Sequence, residues 1–397
     1  MASSHPHSLS IYLVAGEPSG DNLGGRIMTA LKALAVQNHI QIHFAGVGGE
    51  RMTEAGLKTL FPLSDITLFG LTEIIPHLFT LWQRLKMIVT DIKRYKPDAI
   101  VTIDSTAFSF ALARRLKKHG IPLIHVNAPK VWAYRPRRAK TIAQLYDHLL
   151  ALLPFEPPWF EGEGLKCTFI GHPVIEYGAD KGDGRAFRKR HKIPPDAPLL
   201  CVLPGSRTSE LRVLLPIFEK VVRNLTAQYP DLYILIPTIP SVASTVRAAT
   251  VSWPGNPLII EGMHEKFDGF SASTVALAAS GTVTVELALA KIPTVVAYKV
   301  SALTAALIRR FITVRYVSIV NLLQDRAVIP EFIQENCTPA QLIAAVIALL
   351  KSPDLRAEQI KGFTIAATML GQKDKLPSER AAIAIWETIM QKKSRIS

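Results

Sequence analysis

The sequence predicts an α/β protein made of two doubly wound halves, and three observations indicate this fold class. Short apolar runs alternate with helical patterns along most of the chain, and most of these runs end in a turn of small residues. The length of 397 residues suits two domains of ordinary size. Repeated strand–turn–helix units are typical of parallel sheets, in which ligands bind beyond the carboxyl ends of the strands.

In the first half, strands are predicted at residues 10–15, 39–47, 99–103 and 122–126, and a helix follows the first of them as far as about residue 34. The turns after these strands carry small and polar residues at the edge where a ligand would bind. We therefore expect five residues to line a ligand-binding cleft on this half: Glu17, Ser19, Gly20, Asp21 and Asn127.

In the second half, strands are predicted at residues 199–203, 232–237, 258–261, 273–279 and 294–298. Glycine and charge rise over residues 177–190, which indicates a linker. The predicted domains are residues 1–178 and 179–375, two Rossmann-like units facing a cleft. Residues 376–397 are predicted to form a C-terminal helix that packs back on the first domain.

Two turns of the second half combine small residues with groups that attract anions. Glycine at 205 lets the backbone approach a phosphate, and Arg207 can bind that phosphate with two hydrogen bonds. Residues 280–282 lead into a helix whose free N–H groups and dipole favour negative charge, and Glu286 could bind a ribose diol. An ordinary turn with a solvated Glu286 is the alternative. The residues predicted here to bind a phosphate or a nucleotide are Gly205, Ser206, Arg207, Ser280, Gly281, Thr282 and Glu286.

Residues 66–82 depart from the alternating pattern, because they form an apolar, aromatic stretch followed by a basic segment. This combination is typical of a helix at a membrane interface, with its apolar face in the lipid boundary and its cations near phosphates. A buried core helix with a solvated basic face is the alternative. The predicted membrane-facing residues are Phe69, Leu71, Ile74, Ile75, Leu78, Phe79 and Trp82.

Composition indicates a globular protein with an anionic partner. Hydrophobic residues make up 48% of the chain, and the formal net charge of +14 favours nucleic acid, acidic lipid or a phosphorylated substrate. A cluster of aromatic and basic residues at 130–138 fits either stacked bases or a phosphorylated small ligand. Three widely spaced cysteines predict reduced thiols in a cytosol, and the polar N-terminus predicts no signal peptide.

The motifs that are missing narrow the chemistry. Neither GxxxxGK[ST] nor GxGxxG opens either half, and no spacing of ligands suggests a metal, so neither a cofactor nor a metal is expected. A metal-free transfer from a nucleotide sugar needs a general base and groups that hold the leaving diphosphate. Asp104, at the end of a strand, is the candidate base, with helix capping as the alternative; Asp21 has the same two interpretations.

Eight motifs occur in the order in which the lipid-A-disaccharide synthase family has them, and the chain resembles that family from about residue 11 to residue 334. They are AGEPSGD at 15–21, GVGGERM at 46–52, VNAPKVWAYRPRR at 126–138, LPFE at 153–156, FIGHP at 169–173, LPGSR at 203–207, ASGTVTVELAL at 279–289 and VNLLQ at 320–324. Several of these motifs are specific to the family.

The resemblance implies a GT-B-type inverting glycosyltransferase that joins UDP-2,3-diacylglucosamine to 2,3-diacylglucosamine 1-phosphate. It implies a peripheral enzyme on the anionic cytosolic face of the inner membrane of Gram-negative bacteria, with no nucleic-acid partner, and it allows a homodimer. The acceptor is expected on the first half and UDP on the second. Asp104 and Arg207 match the essential aspartate and arginine of the family, and Asn321 lies in a segment expected near UDP.

The chain departs from the family pattern near the candidate base. Where the family commonly reads IDAPDFN, this chain reads IDSTAFS, so that Ala107 replaces a second acid and Ser109 replaces an asparagine. Thr274 stands where the family often has an acid. Two other functions therefore remain open: a UDP-N-acetylglucosamine 2-epimerase of the same architecture, and a catalytically silent protein that binds acidic lipid or nucleic acid.

Overall fold

The computed structural model describes residues 8–67, 71–133, 136–300 and 314–394, with only the backbone described for 71–77. The chain divides into two compact units, one formed by residues 1–173 with 373–397 and the other by residues 174–372. These boundaries lie within five residues of the predicted ones at 178/179 and 375/376.

Within its described residues, the first unit contains a seven-stranded parallel sheet with the strand order β3-β2-β1-β4-β5-β6-β7. Parallel neighbours require crossover connections, and helices supply most of them. The elements in chain order are β1 (Ser8–Ala15), α1 (Pro18–Gln37), β2 (Gln41–Val47), α2 (Glu50–Glu54), β3 (Lys58–Thr59), α3 (Leu71–Tyr95), β4 (Ala99–Ile103), α4 (Thr106–Leu116), β5 (Leu123–Val126), α5 (Arg138–Ala143), β6 (His148–Ala151), α6 (Pro157–Glu161) and β7 (Lys166–Phe169).

The described part of the second unit contains a six-stranded sheet with the order β10-β9-β8-β11-β12-β13, again with parallel pairing. Its elements are α7 (Gly184–Arg190), β8 (Leu199–Leu203), α8 (Thr208–Gln228), β9 (Tyr233–Thr238), α9 (Pro240–Thr250), β10 (Leu258–Glu261), α10 (Met263–Ala272), β11 (Val275–Ala279), α11 (Val283–Leu289), β12 (Thr294–Tyr298), α12 (Ile319–Gln324), β13 (Glu331–Ile333), α13 (Pro339–Lys351) and α14 (Pro353–Met369).

Helices cover both faces of the first sheet, which explains why its strands read as continuous apolar runs. Alternate residues of β1 point to opposite faces. Tyr12 and Val14 join a core that includes residues of α3, α4 and α5. Ile11 and Leu13 join a second core that includes residues of α1 and of the C-terminal helix α15 (Pro377–Ser394).

The C-terminal helix α15 is an integral part of the first unit. It buries Ile385 and Ile389 completely in the core that it shares with α1. Polar contacts fix its position: Arg380 donates to the carbonyl oxygen of Phe169 at 2.6 Å, and His148 on β6 is 2.7 Å from the Thr388 hydroxyl. The sheet therefore depends on residues more than 200 positions away in the chain.

The interpretation of residues 177–190 as a linker is wrong. Asp183 caps α7 by accepting a hydrogen bond from the Ala186 amide at 2.9 Å, and Phe187 is fully buried. Arg190 forms an ion pair with Asp268 on α10 at 2.8 Å. Residues 184–190 of this stretch therefore form a helix packed on the second unit, and one of its cations, Arg190, has acidic partners there.

The structure describes no helix with both the length and the apolar character needed to cross a membrane. Three cysteines, Cys167, Cys201 and Cys337, are buried as free thiols.

His148 makes the stability of the first unit depend on pH. Its two ring nitrogens lie within 2.8 Å of the Thr388 and Thr168 hydroxyls, and burial lowers its pKa to about 4. In the unfolded chain the imidazole takes up its proton near pH 6.5, whereas in the folded protein it does so only near pH 4. The stability that the neutral imidazole contributes is therefore complete above pH 6.5 and is lost as the pH falls towards 4. In His148→Gln, the slope of the free energy of unfolding between these values should decrease by about 1.4 kcal/mol per pH unit.

Urea unfolding followed by tryptophan fluorescence measures this slope, since four of the five tryptophans lie in the first unit. His43→Gln is the matched control, because His43 is exposed on β2 and should leave the slope unchanged. A His148→Gln slope equal to that of the wild type would contradict the assignment.

Candidate active site

Three neighbouring strands of the first sheet bring the predicted acceptor residues together. β4 pairs with β1 on one side and with β5 on the other, so their carboxyl ends lie at one edge. The chain leaves these strands at Gly16, Asp104 and Asn127. The predicted convergence of these turns is therefore a consequence of the parallel register.

Asp104 is held by side chains from both neighbouring turns. Its Oδ2 accepts a hydrogen bond from the Ser19 hydroxyl at 2.7 Å, and its Oδ1 accepts one from the Asn127 side-chain amide. Ser105 rather than Asp104 is the N-cap residue of α4, so the helix-capping alternative for Asp104 is wrong. The half-buried carboxylate is oriented at the sheet edge, where it can accept a proton from a bound hydroxyl.

The turn that carries Asp104 is strained and closely packed. Asp104 and Ser105 both have left-handed backbones, with φ of 57° and 42°. A Cβ at Gly16 would lie 2.0 Å from the Ser105 Cβ, so only glycine allows this approach. Ser109, the residue that departs from the family pattern, donates its hydroxyl hydrogen to the Asp104 carbonyl oxygen at 2.8 Å. The second departure, Ala107, is exposed on α4.

Asp21 has a structural role instead of a place in the cleft. It is buried, and its carboxylate accepts hydrogen bonds from the backbone amides of Gly49, Arg51 and Met52 at 2.7–3.1 Å. These bonds cap the start of α2 and favour the capping interpretation. Of the other predicted residues, Glu17 is the N-cap of α1 and is half-buried. A Cβ at Gly20 would lie 3.2 Å from Asp104 Oδ2.

In the second unit, the turn between β8 and α8 is ordered by an acid that the sequence analysis missed. Glu210 accepts a hydrogen bond from the Ser206 amide at 3.0 Å and forms an ion pair with Arg207 at 3.1 Å. The Arg207 side chain is 65% exposed and can reach a ligand. An acid in the first turn of a helix, four residues after a small-residue turn, is the signal that could have identified Glu210.

Glu286 is buried and paired, so the alternative of a solvated carboxylate is wrong. Its exposed fraction is 7%, and its Oε2 lies 2.9 Å from the Nζ of Lys266 on α10. The sequence analysis did not identify Lys266, because the pairing joins two separate helices. Glu286 belongs to α11, which follows β11, and β11 pairs directly with β8.

The turn at residues 280–282 lies at the strand end next to the turn at 205–207. The Ser280 hydroxyl donates to the carbonyl oxygen of Val317 at 3.2 Å, whereas Gly281 and Thr282 are exposed. The two predicted anion-binding turns are therefore neighbours on one edge of the second sheet.

Asn321 uses its whole side-chain amide inside the second unit. It donates to Ile329 O and to the Glu331 carboxylate at 2.8 Å each, and accepts from the amides of Val328 and Ile329 at 2.9 Å each. A side-chain amide has two donor hydrogens and two acceptor lone pairs, so these four bonds satisfy it. The fully buried Asn321 therefore orders the segment after α12, and we leave its side chain out of the proposed donor contacts.

Comparison with known sequences decides the family. A family profile described as "Lipid-A-disaccharide synthetase" matches residues 11–383. A lipid-A-disaccharide synthase from Rhodospirillum centenum is 53% identical over 97% of this chain and 96% of its own length. One from Paramagnetospirillum magneticum is 46% identical over 97% and 99%. This chain belongs to the lipid-A-disaccharide synthase family. It is therefore a glycosyltransferase of lipid A biosynthesis, as the motifs predicted.

Solved structures confirm the predicted α/β fold of the GT-B type. The UDP-GlcNAc 2-epimerase of Neisseria meningitidis is similar with a TM-score of 0.63 and 14% identity, over 96% of this chain and all of that one. WaaG, a glycosyltransferase involved in lipopolysaccharide biosynthesis, has a TM-score of 0.56 and 13% identity, over 94% and 99%. Because both identities are low, these likenesses concern the fold, and the family match separates this synthase family member from the epimerases.

Gly205 should be essential to the turn that carries Arg207. Its φ is +118°, and a Cβ there would lie 2.4 Å from Glu210 Oε2. Gly205→Ala should lower the stability of the second unit by about 1–3 kcal/mol, measured by calorimetry. Gly281→Ala is the matched control, because a Cβ there meets nothing within 4 Å, and its cost should stay within about 0.5 kcal/mol. Equal melting temperatures for both variants would contradict this.

Proposed function

We propose that this enzyme transfers 2,3-diacylglucosamine from UDP to the 6-hydroxyl of 2,3-diacylglucosamine 1-phosphate, releasing UDP and a β-1,6-linked disaccharide 1-phosphate. The observation that carries the proposal is the carboxylate of Asp104, oriented by Ser19 and Asn127 at a strand end in a member of this family. The acceptor binds the first unit, and the UDP part of the donor binds the second.

The transfer is a single inverting displacement. The Asp104 carboxylate takes the proton of the acceptor hydroxyl while the oxygen attacks C1 of the donor sugar. The bond between C1 and the diphosphate oxygen breaks, and the electron pair leaves with UDP. Ser19 and Asn127 each donate one hydrogen bond to the carboxylate, which leaves a second lone pair on each oxygen for the incoming proton.

The second unit supplies the groups that stabilise the leaving diphosphate. In the structure, Arg207 and the Ser206 amide donate hydrogen bonds to Glu210. A bound diphosphate would compete with Glu210 for these donors. Charge-assisted hydrogen bonds to a developing diphosphate lower the barrier only where they strengthen in the transition state. Glu286, held by Lys266, is the acceptor for hydroxyl groups of the ribose.

Asp104→Asn tests the base. The amide keeps the size of the side chain and an oxygen that accepts from Asn127, but it does not take up the proton. UDP release that depends on the acceptor should fall at least about 100-fold. The affinity for UDP, measured by calorimetry, should not change, because UDP binds the other unit.

Asp147→Asn is the matched control, since Asp147 precedes β6 at the opposite end of the sheet and should leave turnover unchanged. Near-normal turnover of Asp104→Asn would contradict the role of Asp104 as base. If the wild type bound UDP but released no UDP from the donor, with or without the acceptor, a catalytically silent binding protein would replace the synthase as the interpretation.

We also propose that α3 attaches the enzyme to the anionic cytosolic face of the inner membrane. Its C-terminal half, beyond the predicted membrane-facing stretch, is core, with Ile88 and Ile92 fully buried. Further towards its N-terminus, Leu78, Phe79 and Trp82 are 55%, 68% and 51% exposed. Exposed, contiguous apolar side chains beside cations favour a lipid interface.

The remaining predicted membrane residues cannot be placed in the same way. Phe69 lies outside the described residues, and the side chains of Leu71, Ile74 and Ile75 are not described within α3. The cation beside the exposed group is Lys86, whose Nζ lies 5.6 Å from the centre of the Trp82 ring. A homodimer stays a prediction.

Replacing Leu78, Phe79 and Trp82 together by serine should weaken binding to anionic phospholipid vesicles by at least about tenfold, because each large apolar side chain contributes about 1.5–3 kcal/mol when fully buried. Vesicle sedimentation measures this effect, and an unchanged melting temperature shows that the variant folds. The control replaces three exposed apolar residues elsewhere in the chain by serine, namely Val36, Val251 and Leu355. This control should bind the vesicles as the wild type does. Equal loss in both triple variants would contradict the role of α3.

A further inference from the structure

We propose that Glu156 is a positioning residue for the transfer reaction: its carboxylate holds Trp132 and so fixes the loop 127–133, which brings Asn127 to Asp104. The inference rests on the proposed role of Asp104 as general base. Glu156 lies in the turn after β6, and no step of the proposed mechanism uses it directly.

The Glu156 carboxylate joins two segments of the first unit. Its Oε1 accepts a hydrogen bond from the Trp132 indole N–H at 3.1 Å. Its Oε2 accepts hydrogen bonds from the backbone amides of Leu152 and Leu153 at 3.2 and 3.0 Å. The side chain is 2% exposed, so these bonds form away from solvent. We call this arrangement the Glu156 clamp.

Only a carboxylate satisfies all the donors of the Glu156 clamp. The indole N–H points to one oxygen and the two amides point to the other, so both oxygens must accept. A glutamine would place an NH₂ group against one set of donors. A protonated glutamic acid would likewise present a hydrogen to one of them. Both changes open one side of the clamp while keeping the size of the side chain.

The loop 127–133 connects the Glu156 clamp to the catalytic base. At its start, the Asn127 amide hydrogen is donated to Leu150 O at 3.0 Å, while the Asn127 side chain donates to Asp104. Asn127 has a left-handed backbone, with φ of 79°. At the other end of the loop, the Trp132 ring packs edge-on against Phe155 at 5.0 Å and is held by Glu156. Release of Trp132 therefore loosens a strained turn at its far end.

The burial of Glu156 makes the clamp sensitive to pH. Burial raises the pKa of Glu156 to about 7, although the Trp132 bond and the charge of Lys130 act in the opposite direction. The neighbouring groups do not titrate in this range: burial and Lys130 lower the pKa of His172 to about 4, and burial together with Glu156 and Glu161 raises that of the Cys167 thiol. The clamp is therefore ionised and closed above pH 7, and it opens as the pH falls through 7.

The first test observes the clamp without using activity. In protein labelled with ¹⁵N-tryptophan, each of the five tryptophans contributes one indole N–H resonance, and the resonance missing from Trp132→Phe is assigned to Trp132. We expect this resonance to shift with an apparent pKa near 7 in the wild type and to stay constant in Glu156→Gln. A Trp132 resonance at the same position in the wild type and in Glu156→Gln at pH 8.5 would overturn the clamp.

The second test asks whether the clamp acts through Asn127. Glu156→Gln should lower kcat at pH 8 about 10- to 100-fold, the effect of a misplaced catalytic group, with no change in the affinity for UDP. Because Asn127→Ala already removes the contact with Asp104, adding Glu156→Gln to it should change kcat less than about twofold. The same fold loss in both backgrounds would show that Glu156 acts by another route and would overturn the proposal.

Trp132→Phe provides a second variant if Glu156→Gln folds poorly, since it removes the N–H donor and leaves a smaller aromatic ring beside Phe155. It should lower kcat to a similar extent, and an unchanged kcat would also overturn the proposal. If Asp104→Asn did not lower turnover, that result would contradict the proposed base. It would not change the conclusion from the pH titration of the Trp132 resonance. The two failures are therefore distinguishable.

Discussion

Parallel pairing of the strands is the constraint on which both candidate sites depend. Parallel strands end at the same edge of a sheet, so that every turn after a strand in one unit projects towards the same side. Asp104 therefore meets Ser19, 85 residues earlier in the chain, and Asn127, 23 residues later. The same constraint makes the turns at 205–207 and 280–282 neighbours, because β8 pairs with β11.

Each unit then adds polar contacts that determine which turn residues remain available for chemistry. Asp21 and Asn321 lie in family motifs, but backbone groups, and for Asn321 also the Glu331 carboxylate, occupy their side chains. Asp104 and Arg207 also have partners, yet Asp104 is half-buried and Arg207 is largely exposed. A buried side chain whose polar atoms all have internal partners has none left for a ligand, whereas a partly exposed one can exchange a partner for a ligand.

The helix α3 carries apolar side chains in two regions that differ in exposure. Its C-terminal half packs Leu85, Ile88 and Ile92 into the core of the first unit, as an ordinary helix of an α/β protein does. Towards its N-terminus, Phe79 and Trp82 stack on each other at 6.2 Å and remain exposed. Hydrophobicity alone does not distinguish these two surfaces, because a core and a lipid boundary both remove apolar groups from water.

The sequence by itself determined the fold class, four strands with the bounds that the structure has (99–103, 199–203, 258–261 and 294–298), and the family. Local periodicity and turn residues carry this information, since they depend on neighbours in the chain. Only the tertiary structure decided that residues 184–190 form a packed helix, that Glu286 pairs with Lys266, and that Glu156 holds Trp132. These contacts join groups that are 20 or more residues apart, and their burial and partners follow from packing that no local pattern records.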